Sequence, residues 1–136
     1  MGGIDKVFLS LAGRPLIAHS LHEFENSPIV DHISIVLSES AQRAGEQMVS
    51  DIGFGKVVGI TVGGARRQDS VLNGIKLLPR CDILIIHDGA RPFVDGDMIA
   101  RGFDAVSDTG AATAAVPVKD TIKIVGPDMI VTSTPD

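Results

Sequence analysis

The chain has 136 residues, of which 44% are hydrophobic and 21% are charged, proportions that suit a single globular domain. Its formal net charge of −5 argues against a general nucleic-acid-binding surface. No apolar run approaches the roughly 20 residues that a membrane helix needs, and no signal-peptide pattern is visible. The single cysteine, Cys81, cannot form an internal disulfide, which fits a reducing compartment. We therefore expect a soluble, cytoplasmic protein.

The first half of the chain alternates helical and strand-like patterns. The predicted elements are a short apolar piece at 6–11, a helix from Pro15 to about Glu25, a strand at 32–37, a helix capped by Ser38 and ending near Ile52, and a strand at 57–62. In the first helix one face carries Leu16, Ile17, Leu21 and Phe24. Such a face is typical of a helix that packs on a sheet.

The second half continues the alternation. The predicted elements are an amphipathic helix at 66–78 with Val71, Leu72, Ile75 and Leu78 facing inward, a buried strand at 83–86, a helix capped by Asp95 that bears Met98, Ile99, Phe103 and Val106, and a small-residue strand at 111–118. Segments 121–125 and 129–134 flank Gly126-Pro127, a turn signal, and are expected to form a hairpin or arm within 121–136. Strands that alternate with helices predict an α/β fold with a mostly parallel, doubly wound sheet.

The most informative stretch is the run IIHDGARPFV at 85–94, where an apolar strand ends in Asp88, two small residues and Arg91. In parallel α/β sheets, ligands bind beyond the carboxyl ends of the strands. An aspartate at this position can hold a hard cation, and an arginine can bind a phosphate through two hydrogen bonds. The stretch predicts a site for a metal and a phosphate. The alternative is an ordinary strand end with a solvated ion pair.

Three weaker constellations lie at other predicted turns. Gly2 and Gly3 would let the backbone approach a phosphate, and Lys6 would supply a positive charge, although such residues are usually only solvated. The run GGARRQDSV at 63–71 feeds a helix N-terminus, where free N–H groups attract anions. Lys119, Asp120 and Thr121 follow the predicted small-residue strand.

The Gly-Gly run places Arg66 and Arg67 in a first helical turn, where positive charge opposes the helix dipole. A bound anion would offset this cost, but Asp69 offsets part of it already. Ser70 can hydrogen-bond either a ligand or the turn itself. Because several strand ends carry basic groups and one carries a carboxylate, the set favours phosphoryl or nucleotidyl transfer.

Four motifs in this order, at 6–16, 63–71, 87–92 and 116–121, resemble those of the 2-C-methyl-D-erythritol 4-phosphate cytidylyltransferases. The resemblance runs through nearly all of the chain. It implies a Rossmann-like nucleotidyltransferase domain with a projecting arm, usually in a homodimer. It also implies transfer of CMP from CTP to methylerythritol phosphate, with release of pyrophosphate, in isoprenoid biosynthesis.

The resemblance also implies roles for individual residues and Mg²⁺ as cofactor. Lys6 would stabilise the transition state, and Asp88 would hold Mg²⁺ near the sugar phosphate. The nucleotide would lie against Gly2, Gly3, Gly64, Ala65, Ser70 and Gly89, and methylerythritol phosphate would contact Asp88, Arg91 and Thr121. The chain departs from the family pattern at Asp5 and Val7, which usually are proline and glutamine, at Ala65, which is often acidic, and at Gly89, which is commonly alanine.

Members of this family begin with a central strand and a glycine-rich loop, and their chains continue beyond the arm. On that comparison we expect a domain that lacks its first strand and C-terminal part, with weak or no turnover and poor solubility as a monomer. Three alternatives remain: a ribitol 5-phosphate cytidylyltransferase, a non-catalytic nucleotide-binding remnant, and an α/β interaction domain without a ligand. Turnover with the two sugar phosphates, and binding of CTP, would separate them.

Overall fold

A computed structural model of the protein describes residues 5–135. The helices are α1 (Leu16–Asn26), α2 (Gln42–Ile52), α3 (Arg67–Ile75) and α4 (Gly96–Thr109), with short 3₁₀ turns at Lys6–Phe8 and Glu39–Ala41. The strands are β1 (Ser10–Leu11), β2 (Arg14–Pro15), β3 (Ile33–Leu37), β4 (Val57–Val62), β5 (Ile124–Val125) and β6 (Val131–Ser133). Within this range, no helix combines the length and the hydropathy required of a membrane span.

The parallel pair β3–β4 is the centre of the fold. Its register runs from Ile33 opposite Val57 to Leu37 opposite Val62, with one irregularity after Ile33. Helix α2 connects the two strands, as the alternating pattern predicts. The α/β class is therefore confirmed.

The core lies between this pair and helices α1 and α2. The predicted apolar face of α1 is confirmed, since Ile17, Leu21 and Phe24 are buried. The clustered buried residues are Ile17, Ala18, Leu21, Ile35, Leu37, Ala41, Met48 and Phe54. Branched aliphatic residues supply much of this cluster, as expected for a parallel sheet under helices.

The two predicted helix caps differ in outcome. Asp95 caps α4, because its carboxylate accepts a hydrogen bond from the Met98 N–H over 2.7 Å. Ser38 precedes the second helical segment as predicted, but its side chain does not cap it. The Ser38 hydroxyl instead donates to the Asp5 carboxylate over 3.0 Å, which ties the end of β3 to the start of the described chain.

The predicted strand at 83–86 does not form, and this prediction was wrong. Its side chains are partly exposed, for example 43% for Ile85 and 52% for Ile86. The reason is that a cleft of about 1250 Å³ separates this segment from β3, so its backbone meets no ladder partner within the described part of the chain.

Segment 83–89 nevertheless runs in the same direction as β3. The His87 ring lies 5.3 Å from that of Phe24 near the end of α1, whereas Gly89 lies close to Ile17 at its start. The start of β3 is likewise near the end of α1, because the Lys56 carbonyl accepts from the Ile33 N–H and the Lys56 ammonium donates to the Ser27 carbonyl. Segment and strand are therefore both antiparallel to α1.

Two further predictions need correction. Residues 111–118 form no strand and are exposed throughout, because no strand within residues 5–135 pairs with them. Helix α3 ends at Ile75 rather than near Leu78. Ile75 is exposed because it borders the open cleft, and Leu72, which does not line the cleft, is exposed as well, so its predicted inward orientation was wrong. Strands β5 and β6 do form an antiparallel hairpin across the turn at Gly126-Pro127.

Candidate functional site

The cleft between β3 and segment 83–89 has an apolar interior and a polar mouth. The interior is lined by β3 and the 83–86 segment, with helices α1 and α3 at its sides. The mouth, at the carboxyl ends of β3 and β4, is lined by Asp5, Ser38, Gly63, Gly64, Arg67, Ser70, Asp88 and Gly89. This is the end of a parallel sheet at which α/β proteins bind their ligands.

The Gly-Gly segment folds tightly onto the first turn of α3. The Gly64 N–H donates to the Ser70 hydroxyl oxygen over 3.0 Å. A Cβ atom at position 64 would overlap the Asp69 Cβ and lie 3.1 Å from the Asp69 carbonyl carbon. Only glycine therefore fits at this position, and its bare backbone can approach a ligand closely.

The Asp69 carboxylate fixes the start of α3. The Asp69 carboxylate accepts from the Arg66 N–H over 3.2 Å, and the Arg66 guanidinium donates to both carboxylate oxygens. The hydrogen bond from Arg66 lowers the pKa of Asp69, more than desolvation raises it. Asp69 thus compensates the charge of Arg66 and leaves Arg67 for another partner.

That partner is Asp88. The Arg67 Nη2 lies 2.9 Å from Asp88 Oδ1, and the Arg91 Nη2 lies 3.0 Å from Asp88 Oδ2. The hydrogen bond from Arg67 is the main reason that the pKa of Asp88 is lowered, and the charge of Arg91 acts in the same direction. The carboxylate is consequently ionised at neutral pH, with a guanidinium on each oxygen.

The protein oxygen atoms available at the cleft mouth suit only a cation that is also coordinated by a bound ligand. Between residues 5 and 135, no three His, Cys, Asp or Glu side chains are grouped as in a protein metal cage. Mg²⁺ is often held by one or two carboxylates together with water and substrate phosphates. Asp88 fits that pattern as the single protein carboxylate.

The structure brings part of the predicted site together. Gly64, Ser70, Asp88 and Gly89 line the same cleft mouth. Ala65 is exposed beside Gly64, and Arg91 reaches Asp88 from the same turn, where its N–H donates to the Asp88 carbonyl over 2.9 Å.

The other predicted residues lie at the edge of the site or outside it. Lys6 is exposed between Asp5 and Val7, both of which line the cleft. Thr121 lies in the exposed stretch before β5 and does not line the cleft. Gly2 and Gly3 lie outside the described residues.

Sequence reasoning missed two side-chain contacts at the cleft mouth. It placed Arg67 in the first turn of α3 but did not find its partner, Asp88. It also missed Asp5 and Ser38, which are 33 residues apart and meet at the cleft. The uncompensated second arginine of the helix turn was the only signal that could have pointed to an acidic partner elsewhere in the chain.

Comparisons with known proteins agree on one family. The family model for 2-C-methyl-D-erythritol 4-phosphate cytidylyltransferase matches residues 1–136. A curated enzyme of that name from Dehalococcoides mccartyi is 44% identical over 134 residues, which cover 98% of this chain and 59% of the relative. One from Shouchella clausii is 45% identical over 122 residues, which cover 90% of this chain and 53% of the relative. The chain thus spans rather more than half the length of these relatives.

Solved structures give the same fold. The 4-diphosphocytidyl-2C-methyl-D-erythritol synthase from Anaerococcus prevotii superimposes with a TM-score of 0.83 at 23% identity, over 100% of this chain and 60% of that one. A second synthase of this kind gives a TM-score of 0.76 at 26% identity, over 96% and 62% of the two chains. The Rossmann-like nucleotidyltransferase fold is therefore confirmed.

Proposed function

Because this chain belongs to the 2-C-methyl-D-erythritol 4-phosphate cytidylyltransferase family, we propose that the protein carrying it transfers CMP from CTP to methylerythritol phosphate. The observation that carries the proposal is the meeting of the Gly64–Ser70 loop and Asp88 at one cleft mouth. The loop offers backbone groups and a hydroxyl for the cytosine ring, and Asp88 is a carboxylate suited to the phosphate end of the nucleotide.

In the proposed reaction, a phosphate oxygen of methylerythritol phosphate attacks the α-phosphorus of CTP. The bond from the α-phosphorus to the bridging oxygen breaks, and pyrophosphate leaves with that oxygen. Catalysis of this kind depends on positioning and on neutralising the phosphate charges. We assign charge neutralisation to Lys6 and Arg91, cytosine binding to Gly64, Ala65 and Ser70, and a nucleotide contact to Gly89.

We further propose that Mg²⁺ bound with the nucleotide is held by Asp88 and supplies additional neutralisation of the phosphates. Thr121, with Asp88 and Arg91, is assigned to the sugar phosphate. Gly2 and Gly3 are assigned to the nucleotide phosphates.

A homodimer in the cytoplasm completes the proposal. The hairpin β5–β6 supports it, because the strands and the turn between them expose Val125, Met129, Ile130 and Val131. Exposed apolar patches of this kind mark interaction surfaces. Sedimentation equilibrium of the purified protein tests the dimer, and a monomer at all concentrations would refute it.

The test of activity uses the polypeptide as it occurs in its native cells, with its length established by intact mass. We expect release of pyrophosphate with CTP, Mg²⁺ and methylerythritol phosphate, and much slower release with ribitol 5-phosphate. Asp88→Asn should lower kcat by about 100-fold, the effect of losing one electrostatic group at a reacting phosphate. Asp97→Asn is the control, because Asp97 is exposed on α4 and pairs with Arg101.

Three outcomes would contradict the proposal. Faster turnover of ribitol 5-phosphate than of methylerythritol phosphate would identify ribitol 5-phosphate as the substrate. CTP binding in calorimetry without any turnover would leave a nucleotide-binding remnant. If the protein neither bound CTP nor showed turnover, an interaction domain without a ligand would be the remaining interpretation.

A further inference from the structure

Arg67 connects the two polar segments of the cleft mouth. It is the first residue of α3, and its guanidinium lies 2.9 Å from the carboxylate of Asp88. Four ion pairs are found within residues 5–135, and three of them join residues three or four positions apart in the sequence. Arg67–Asp88 is the only one of the four that joins distant parts of the chain.

Each oxygen of the Asp88 carboxylate contacts a guanidinium group. Arg67 contacts Oδ1 and Arg91 contacts Oδ2. Each oxygen keeps a second lone pair, but the positive charge of the two guanidinium groups opposes a cation at this carboxylate until one of them moves away. Arg91 belongs to the same turn as Asp88 and stays near it, whereas Arg67 reaches across from α3.

Arg67 is also placed where it could bind an anionic phosphate group instead of Asp88. It starts a helix whose free N–H groups favour anions, and Asp69, the acid of that turn, is already paired with Arg66. A guanidinium binds phosphate oxygens through two parallel hydrogen bonds, as it binds carboxylates. A triphosphate at the cleft mouth would thus compete with Asp88 for Arg67.

We propose that Arg67 is a positioning residue that holds the Asp88 carboxylate in the nucleotide-free protein and releases Oδ1 when a nucleoside triphosphate enters. The released guanidinium then binds a phosphate oxygen, and Asp88 becomes available to the divalent cation that accompanies the nucleotide. This inference rests on the proposed function. It adds an exchange of partners at Asp88, which couples the loading of the cation to the loading of the nucleotide.

The test measures Mn²⁺ affinity by electron paramagnetic resonance in the absence of nucleotide. Arg67→Gln should bind Mn²⁺ about fivefold more tightly than the unaltered protein, the scale of one exposed ion pair. Arg67→Lys should stay near the unaltered protein, because it keeps the positive charge. Arg43→Gln removes the same charge from an exposed arginine of α2 that is in none of these four ion pairs and does not line the cleft, and it should leave Mn²⁺ affinity unchanged.

A second readout separates positioning from a merely structural contact. Arg67→Gln should raise the KM for CTP more than it lowers kcat, and its thermal unfolding midpoint should match that of Arg66→Gln. Adding Asp88→Asn to Arg67→Gln should abolish the gain in Mn²⁺ affinity. Unchanged or weaker Mn²⁺ binding in Arg67→Gln, or a gain that survives Asp88→Asn, would overturn the inference.

The Mn²⁺ measurement needs neither CTP nor turnover. If the gain depends on Asp88 but CTP does not bind, the proposed function fails while the hold of Arg67 on Asp88 stands. If CTP is turned over and the gain is absent, the function stands and the role of Arg67 fails.

Discussion

The backbone N–H of Gly64 donates to the hydroxyl oxygen of Ser70 over 3.0 Å. The same hydroxyl can donate to the Arg66 carbonyl, at 3.3 Å. These bonds close the Gly-Gly loop onto the first turn of α3. They fix the backbone groups that would bind the cytosine ring.

Ser70→Ala should therefore weaken CTP binding. One hydrogen bond of this kind contributes about 1 kcal/mol, so we expect the Kd to rise about fivefold. Calorimetric titration with CTP measures it. Ser107→Ala is the matched control, because the Ser107 hydroxyl only donates to the Phe103 carbonyl on the exposed side of α4. Equal affinities in the two variants would remove Ser70 from the site.

The Arg66–Asp69 pair at the start of α3 predicts a pH dependence with a definite sign. Because Arg66 lowers the pKa of Asp69, the ionised carboxylate stabilises the fold. That contribution is complete above the usual pKa of 3.8 and is lost as the pH falls through the lower pKa of the folded state. The carboxyl carbon of Asp69, followed by NMR, should titrate below 3.8.

Arg66→Gln should move the titration midpoint of Asp69 up toward its usual value, because the principal cause of the shift is then gone. Arg101→Gln is the control, since Arg101 pairs with Asp97 on α4. A midpoint that does not respond to Arg66→Gln would show that the pair does not persist in solution.

Two helical glycines should respond in opposite directions to the same substitution. A Cβ atom at Gly45 of α2 would overlap the Leu37 side chain and lie 3.2 Å from Ile60 Cδ1, whereas one at Gly102 of α4 would meet nothing within 4 Å. Gly102→Ala should raise the free energy of unfolding by about 0.5–1 kcal/mol through helix propensity. Gly45→Ala should lower it by about 1 kcal/mol, because overpacking exceeds that gain. Urea unfolding measures both, and a stabilised Gly45→Ala would contradict the tight contact.

Glu25 ties the end of α1 to the loop before β4. Its carboxylate accepts from the Gly55 N–H over 2.9 Å and from the Lys56 N–H over 3.1 Å. Glu25→Gln should lower the free energy of unfolding by about 1–2 kcal/mol, since both bonds lose their charged acceptor. Glu46→Gln, on the exposed side of α2, should change it by less than about 0.5 kcal/mol. Equal effects would show that the Glu25 contacts contribute no more than a surface charge.

Local signals in the sequence were sufficient for the elements that depend on local contacts. Pro15 and the apolar face of α1 predict that helix, and Asp95 predicts the start of α4. The strand at 83–86 failed because an apolar run predicts burial, but a strand also needs a neighbouring backbone with which to form hydrogen bonds. That neighbour cannot be inferred from the run itself.

The residues of the candidate site were likewise predictable only where a local signal marked them. Gly64, Ser70 and Asp88 were found because polar residues at parallel strand ends converge on one edge. Arg67 was found as a residue but not as a partner of Asp88, since a long side chain in a first helical turn can reach several neighbours. The contact of Ser38 with Asp5 was missed because a serine before a helix ordinarily caps it.

The cleft between β3 and segment 83–89 also has a colloidal consequence. Within the described residues, both backbones face it without a partner, and apolar side chains lie beside them. Unpaired edges of this kind can form hydrogen bonds with strands of other molecules. We therefore expect aggregation to increase with protein concentration. Dilute samples should stay clear, whereas concentrated samples should scatter light and bind a fibril dye. The extent of aggregation should rise with the time for which these edges stay open.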